Sequence, residues 1–215
     1  MVDIDDFLID VQAEVEKCPY PIILNAVRQA AREFCRRTHV HQEEAEFIQS
    51  LPNTQEYVME ATNTNFQVIA LKRLRVNEVT LVPKTLEWLT AHVPNWRTDT
   101  SETGSSYYTH TSEDTFHIIP FLPPLAAPLS MDATYALQPA PDAQKIVDFL
   151  YDRHLEKIAN GAKYRLLRMV GAKWANPKMA GMYGNLFYRE CANVRAQVEK
   201  SFTPNEVIMQ APKFA

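Results

Sequence analysis

Apolar residues recur at helical spacing most plainly in residues 144–200. Counting from Val147 at 100° per residue, Tyr151, Leu155, Ile158, Ala162, Leu166 and Met169 fall on one continuous stripe, which predicts a core-facing helix. A second narrow arc holds Ala180, Tyr183, Phe187, Cys191, Val194 and Val198, while Asn185, Arg189, Asn193 and Glu199 point elsewhere. Between the two, the run Gly171-Ala172-Lys173-Trp174-Ala175-Asn176-Pro177 carries turn chemistry. Its glycine suits a helix C-cap, Asn176 an N-cap and Pro177 the first helical position, with Trp174 expected to cover the joint. So short a connection implies antiparallel helices.

Near the start of the chain, Phe7, Leu8, Val11 and Val15 have helical spacing behind a group of aspartates, and a clearer helix spans residues 21–37 with Ile23, Val27, Ala30 and Phe34 inward. Arg28, Arg32 and Arg36 form an i, i+4, i+8 row expected on its opposite side, as a solvated or subunit-facing surface paired with carboxylates; a phosphate-binding face is the sharper alternative. From residue 45 the period shifts to two. Strands are expected at 45–49 and 55–59, joined by a hairpin turn at Leu51-Pro52-Asn53-Thr54, then at 66–76 and 78–82 around a tight turn at Asn77. Thr85 is placed to cap one helical turn carrying Leu86, Trp88 and Leu89. Residues 98–114 read as an exposed loop with Tyr107 and Tyr108 entering a strand, 115–119 and 131–137 as the last strands, and the proline-rich 120–128 as a stiff projecting loop. The fold class expected is α+β: N- and C-terminal helices packed as a bundle with an inserted antiparallel β meander. One domain is expected, helical over 1–42 and 142–200, β-rich over 43–141, with an extended arm over 201–215.

Composition narrows the function more than the fold. With 22 Lys and Arg against 26 Asp and Glu, the net charge of −4 gives no general reason for nucleic-acid binding. The longest apolar run is interrupted by prolines, so no membrane span is expected, and the acidic start lacks the pattern of an export signal. Three widely spaced cysteines, Cys18, Cys35 and Cys191, read as reduced thiols. The best metal candidate, His39-x-His41 with Glu43 and Glu44, lacks further ligands at a recognised spacing. Cys35 has His39 four residues on but no orienting partner, and His154 between Leu150 and Ile158 reads as a packed histidine. Five glycines form no phosphate cradle, and Trp88, Trp96 and Trp174 read as core or interface residues rather than base-stacking platforms. No catalytic residue, metal or cofactor is expected.

Ala30-Ala31-Arg32-Glu33-Phe34-Cys35-Arg36-Arg37-Thr38 closes an early helix, and Leu71-Lys72-Arg73-Leu74-Arg75-Val76, Lys163-Tyr164-Arg165-Leu166-Leu167 and the Gly171 to Pro177 turn follow in that order. In these stretches the sequence resembles the head-to-tail adaptor (connector) proteins of tailed bacteriophages. The resemblance implies a structural virion protein of the neck region, assembled in the host cytoplasm as a homo-oligomeric ring, usually of twelve copies. Such a ring lies between the portal protein and a tail or nozzle protein, and packaged DNA passes through its lumen without sequence-specific binding. A DNA-binding regulator using the Arg28, Arg32, Arg36 face is the alternative, and an enzyme a more remote one. Residues 201–215 are expected to be an arm that docks on a partner, because Phe202, Val207, Ile208, Met209 and Phe214 are apolar in a segment too short to fold alone.

Overall fold

The computed structural model describes residues 1–102 and 104–200. The chain opens with a short strand β1 (Val2–Asp3), a 3-10 turn (Ile4–Phe7) and helix α1 (Leu8–Gln12). Phe7, Leu8, Val11 and Val15 are all buried there, as the spacing predicts, and Ile4 is buried with them. Helix α2 (Tyr20–Thr38) begins with proline in its first turn and ends at His39, whose φ of 52° puts it in the left-handed region. Thr38 Oγ1 donates to the Phe34 carbonyl at 2.8 Å, satisfying an oxygen of the last turn.

The β-rich part is two four-stranded sheets, not a meander. Strands β2 (Gln42–Ser50), β3 (Glu56–Val58), β4 (Phe66–Val76), β5 (Val79–Thr80) and β6 (Val82–Pro83) precede helix α3 (Leu86–His92). Strands β7 (Tyr107–His110), β8 (Thr115–Ile119) and β9 (Leu129–Pro139) follow it. The first sheet has the order β2-β9-β4-β5 and the second β3-β8-β7-β6. The hairpin expected around Leu51-Pro52-Asn53-Thr54 therefore does not form, since β2 pairs with β9 and β3 with β8. Alternation marks a strand's faces but not its partner, and the eleven-residue β9 serves both β2 and β4. The tight turn at Asn77 is present: Asn77 and Glu78 have φ of 50° and 67°, the left-handed pair a two-residue hairpin requires. Only β5 continues that hairpin, because β6 joins the second sheet, parallel to β7. Leu71, Leu74, Val76, Met131 and Tyr135 from the first sheet share a core with Tyr108, Phe116 and Ile118 from the second. Thr85 caps α3 by accepting from Trp88 N at 3.2 Å. The proline-rich segment is tied down at the buried Leu122, whose carbonyl accepts from Asn53 N, and projects only near the fully exposed Leu125.

After β10 (Lys145–Ile146), which pairs with β1, come α4 (Asp148–Leu167) and α5 (Pro177–Glu199). On α5 all six predicted inward residues are buried. On α4 the single stripe gives way to burial all round at residues 158–162, because α2 packs on one side and α5 on another. Met169 lies beyond the helix end and is exposed. Asn176 caps α5, its side chain accepting from Met179 N at 3.2 Å, and Pro177 occupies the first turn. Gly171 takes a left-handed φ of 82° but sits within the connection, three residues beyond the α4 cap at Arg168. Trp174 is half-buried against the helical core. Where α2, α4 and α5 meet stands Gly161: a Cβ there would lie 2.7 Å from the Phe187 ring and 3.1 Å from Ala30 Cβ.

Two stability effects follow. Asn176→Ala should lower unfolding stability by about 1 kcal/mol through loss of the cap. Gly161→Ala should cost about 1–3 kcal/mol by overpacking, despite alanine's better helix propensity. Urea titration checks both, and an unchanged midpoint for Gly161→Ala would show that the helices can part without penalty.

Candidate functional site

Arg28, Arg32 and Arg36 lie on the flank of α2 that faces the first sheet, not on a free opposite side. Arg28 Nε donates to the Ala143 carbonyl at 2.9 Å, Arg32 Nη2 to Gln67 Oε1 at 3.5 Å and Arg36 Nη2 to Gln138 Oε1 at 3.2 Å. Gln138 Nε2 in turn donates to Gln67 Oε1 at 3.1 Å. Within the chain the partners are thus neutral amide oxygens, and among the described residues none of the three arginines forms the carboxylate pair expected of it. The reason is geometric: α2 runs across β9 and the start of β4, where glutamines project.

The carboxylate near this face is already engaged. Glu33 accepts from Arg37 Nε at 2.8 Å and also from Arg165 Nη2 of α4. Burial opposes ionisation of Glu33, but Arg37 and Arg165 outweigh it and hold its pKa below the ordinary carboxylate value. Gln29, Arg32, Glu33, Arg36, Arg37 and Arg165 line a surface cavity of about 430 Å³. Burial, and then the neighbouring Arg36, lower the Arg32 pKa. Four guanidinium groups beside one carboxylate make this a locally basic face on an acidic chain.

The histidines and cysteines are dispersed into packing roles. His41 sits edge-on to Phe66 and Phe149 at 4.7 and 5.7 Å, whereas burial, Arg195 and Lys72 depress the His39 pKa to about 4. Among the described residues no three His, Cys, Asp or Glu side chains are grouped to hold a metal. Burial pushes the Cys35 and Cys191 thiols up to about 12, the reverse of what a nucleophile needs. His154 lies 5.0 Å from the Phe34 ring, and burial, then Lys157 and Arg153, depress its pKa to about 4.

Pattern reading did not reveal a groove of about 540 Å³ beside β4, lined by the apolar Met59, Val68, Ile69, Ala70 and Leu71 and by the polar Arg36, Gln67, His110, Ser112, Glu113 and Gln138. The one available signal was the length mismatch between the long 66–76 strand and the short segment after Asn77. The end of α5 rests near this strand: Val198 and Glu199 line a cavity with Gln42, Glu44, Lys72, Arg73 and Thr134. Phe202, Val207, Ile208, Met209 and Phe214, the residues expected to dock on a partner, lie outside the described residues.

The buried imidazole sets a pH dependence. An unfolded His154 takes up its proton near the ordinary value of 6.5, a folded one only near 4. Between those values the unfolded state binds more protons, so this contribution to stability is complete above pH 6.5 and is lost as pH falls toward 4. His154→Leu should flatten part of that slope while remaining folded at pH 7, and urea midpoints from pH 7 to pH 4 measure it. An unaltered slope would remove His154 from the account.

Among the described residues no helix is long and apolar enough to cross a membrane. No curated protein matches the chain. A family model described as SU10 adaptor protein matches residues 2–207, which takes in every strand and helix from β1 to α5. The match agrees with the resemblance carried by the early helix, the 71–76 strand and the late hairpin, and the family is a structural one rather than an enzyme class. The chain belongs to the SU10 adaptor protein family, a family of phage head-tail adaptors, and is a structural adaptor associated with other virion components.

Proposed function

We propose that the chain assembles as a ring, of twelve copies, between the portal and the tail, continuing the DNA channel and offering the surface on which a tail or nozzle protein attaches. The observation that carries this reading is the family match over residues 2–207, which includes the whole folded body. A ring subunit needs a stiff body with more than one contact surface and no reaction centre. The three-helix core supplies stiffness, and the arginine cavity on α2 and the groove beside β4, which adjoin at Arg36, are the open surfaces next to it.

In this reading Arg28, Arg32 and Arg36 serve a subunit interface, with spare guanidinium donors available to carboxylates of a neighbour. The segment carrying Phe202, Val207, Ile208, Met209 and Phe214 docks on a partner. DNA passes without specific binding: twelve copies at −4 each carry −48, and a net-acidic ring repels rather than grips a phosphate backbone. The assembled protein belongs to the virion neck, after assembly in the host cytoplasm. The four-arginine cavity favours one rival, a DNA-binding regulator, but Arg28 and Arg36 are drawn onto Ala143 and Gln138 rather than displayed.

Electron microscopy of the protein alone and mixed with a candidate portal protein is expected to show rings in at least the mixed sample. Monomer in both would overturn the reading. Binding to short duplex DNA at physiological salt is expected to be negligible, and tight binding with a steep salt dependence would transfer the case to the regulator. Removal of residues 201–215 should leave a folded protein that no longer joins its partners. Unaltered assembly would reject the docking role of that segment.

A further inference from the structure

We infer that the open edge of β4 is a docking site for a short strand donated by a second copy of this chain, and that the strand is carried by Val207, Ile208 and Met209. The inference rests on the ring reading and names one contact that would hold such a ring together.

On one side β4 pairs with β9 from Phe66 to Val76. On the other, β5 pairs only at Arg75 and Val76, and Leu81 N donates to the Leu74 carbonyl. From Gln67 to Arg73 no strand lies along the outer edge among the described residues. Open edges are templates for strand addition, and proteins usually blunt them with proline, charge, bulges or a covering element. This edge has no proline, and its charges, Lys72 and Arg73, stand at one end. Register shifts at 68/70 and 71/73 bend it, which restricts an added strand to a few residues. Beside the bend, the half-buried Val68, Ile69 and Ala70 face a groove of about 540 Å³ walled by Met59 and His110. Backbone partners and apolar side chains are therefore available together, beside the polar Gln67, Gln138 and Glu113 of the same groove.

The occupant follows from where α5 ends and what comes next. Val198 and Glu199 lie beside Lys72 and Arg73, close to this edge. The fifteen residues from Ser201 to Ala215 span at most about 50 Å at about 3.3 Å each. Within them Val207-Ile208-Met209 is a compact apolar run beginning with two β-branched residues, set between Pro204 and Pro212, which disfavour a helix through it. Its length suits the bent edge.

The donor is the neighbouring copy on the ring reading: the groove follows the edge itself, reaching Gln67, Ala70 and Gln138 on the face that carries Thr134, and Leu71 on the other, so a strand can enter it from outside the subunit. Glu44, Arg73 and Thr134, in register across β2, β4 and β9, stand on the face reached by the end of α5. Ala133, Tyr135 and Leu71 alternate to the other face, where the second sheet packs and where Met59 and His110 wall the groove. An arm that leaves beside Lys72 and Arg73 and passes to the next subunit makes a heterologous contact, which closes into a ring when the rotation permits.

The test uses the full chain with Cys18→Ser to remove the half-exposed thiol, plus Ile69→Cys in the groove and Ile208→Cys in the arm. Under oxidation at raised concentration, alone and with a candidate portal protein, a ladder of covalent multimers is expected that requires both cysteines. A product cross-linked only within one chain, or no ladder under either condition, would overturn the inference. Rings without a ladder would leave the ring reading standing while this contact fails; neither rings nor ladder would reject both. Should Ile69→Cys disturb the strand, Ile208→Pro in the otherwise native chain gives an independent test. It should prevent inter-copy assembly with no change in the thermal unfolding midpoint, and unaltered assembly would count against the inference.

Discussion

At Gly161 the three long helices meet with no side chain between them, and the packing of the helical core depends on that gap. With no side chain at that position, the α4 backbone comes against Ala30 of α2 and the Phe187 ring of α5 together. A second gap repeats the device, since a Cβ at Gly184 would lie 2.9 Å from the Tyr164 ring. Alanines 30, 31, 159 and 162 keep the neighbouring layers thin, while Phe34 and Phe187, each fully buried, fill the space around them. Burying such a side chain stabilises by about 1.5–3 kcal/mol, so the cluster as a whole holds three helices in one fixed arrangement. That arrangement sets α2 against the first sheet, and the direction of α2 in turn sets what Arg28, Arg32 and Arg36 can reach.

The helices were legible from their period, and α3 and α5 also from their capping residues. Asn176 and Pro177 mark the start of α5, and the six inward residues of that helix follow a single period. The α4 pattern was only partly readable, since a helix packed on several sides does not keep one stripe; the burial of Gly161 depends on residues 131 positions away, at Ala30, as much as on its neighbours. Strands were legible as segments but not as partners. Nothing in residues 45–59 reveals that β2 and β3 belong to different sheets, because that is decided by β9 and β8, far along the chain. The same limit applies to the arginine row: a spacing of four places three side chains on one side of a helix, and only the packed structure determines that this side meets Gln67, Gln138 and Ala143. The groove beside β4 is a void between elements, and no single stretch of sequence encodes it.

These features belong together in an adaptor. Buried cysteines with pKa near 12 and histidines depressed to about 4 are groups kept in their uncharged, unreactive forms within a packed body. The polar and open features stand at the margins instead, as the basic cavity on α2 and α4 and the strand edge beside Met59 and His110. A structural adaptor has use for this division, because contacts with other virion components transmit position only if the body behind them does not yield.

Helices α2, α4 and α5 form one unyielding frame around Gly161, from which the basic cavity and the open strand edge are displayed. Native-state hydrogen exchange on the full chain tests it most directly. Amides near Ala30, Gly161 and Phe187 should exchange together and only through global unfolding, while those of residues 120–128 exchange through local opening at far lower cost. Exchange near Gly161 as fast as in residues 120–128 would contradict the account.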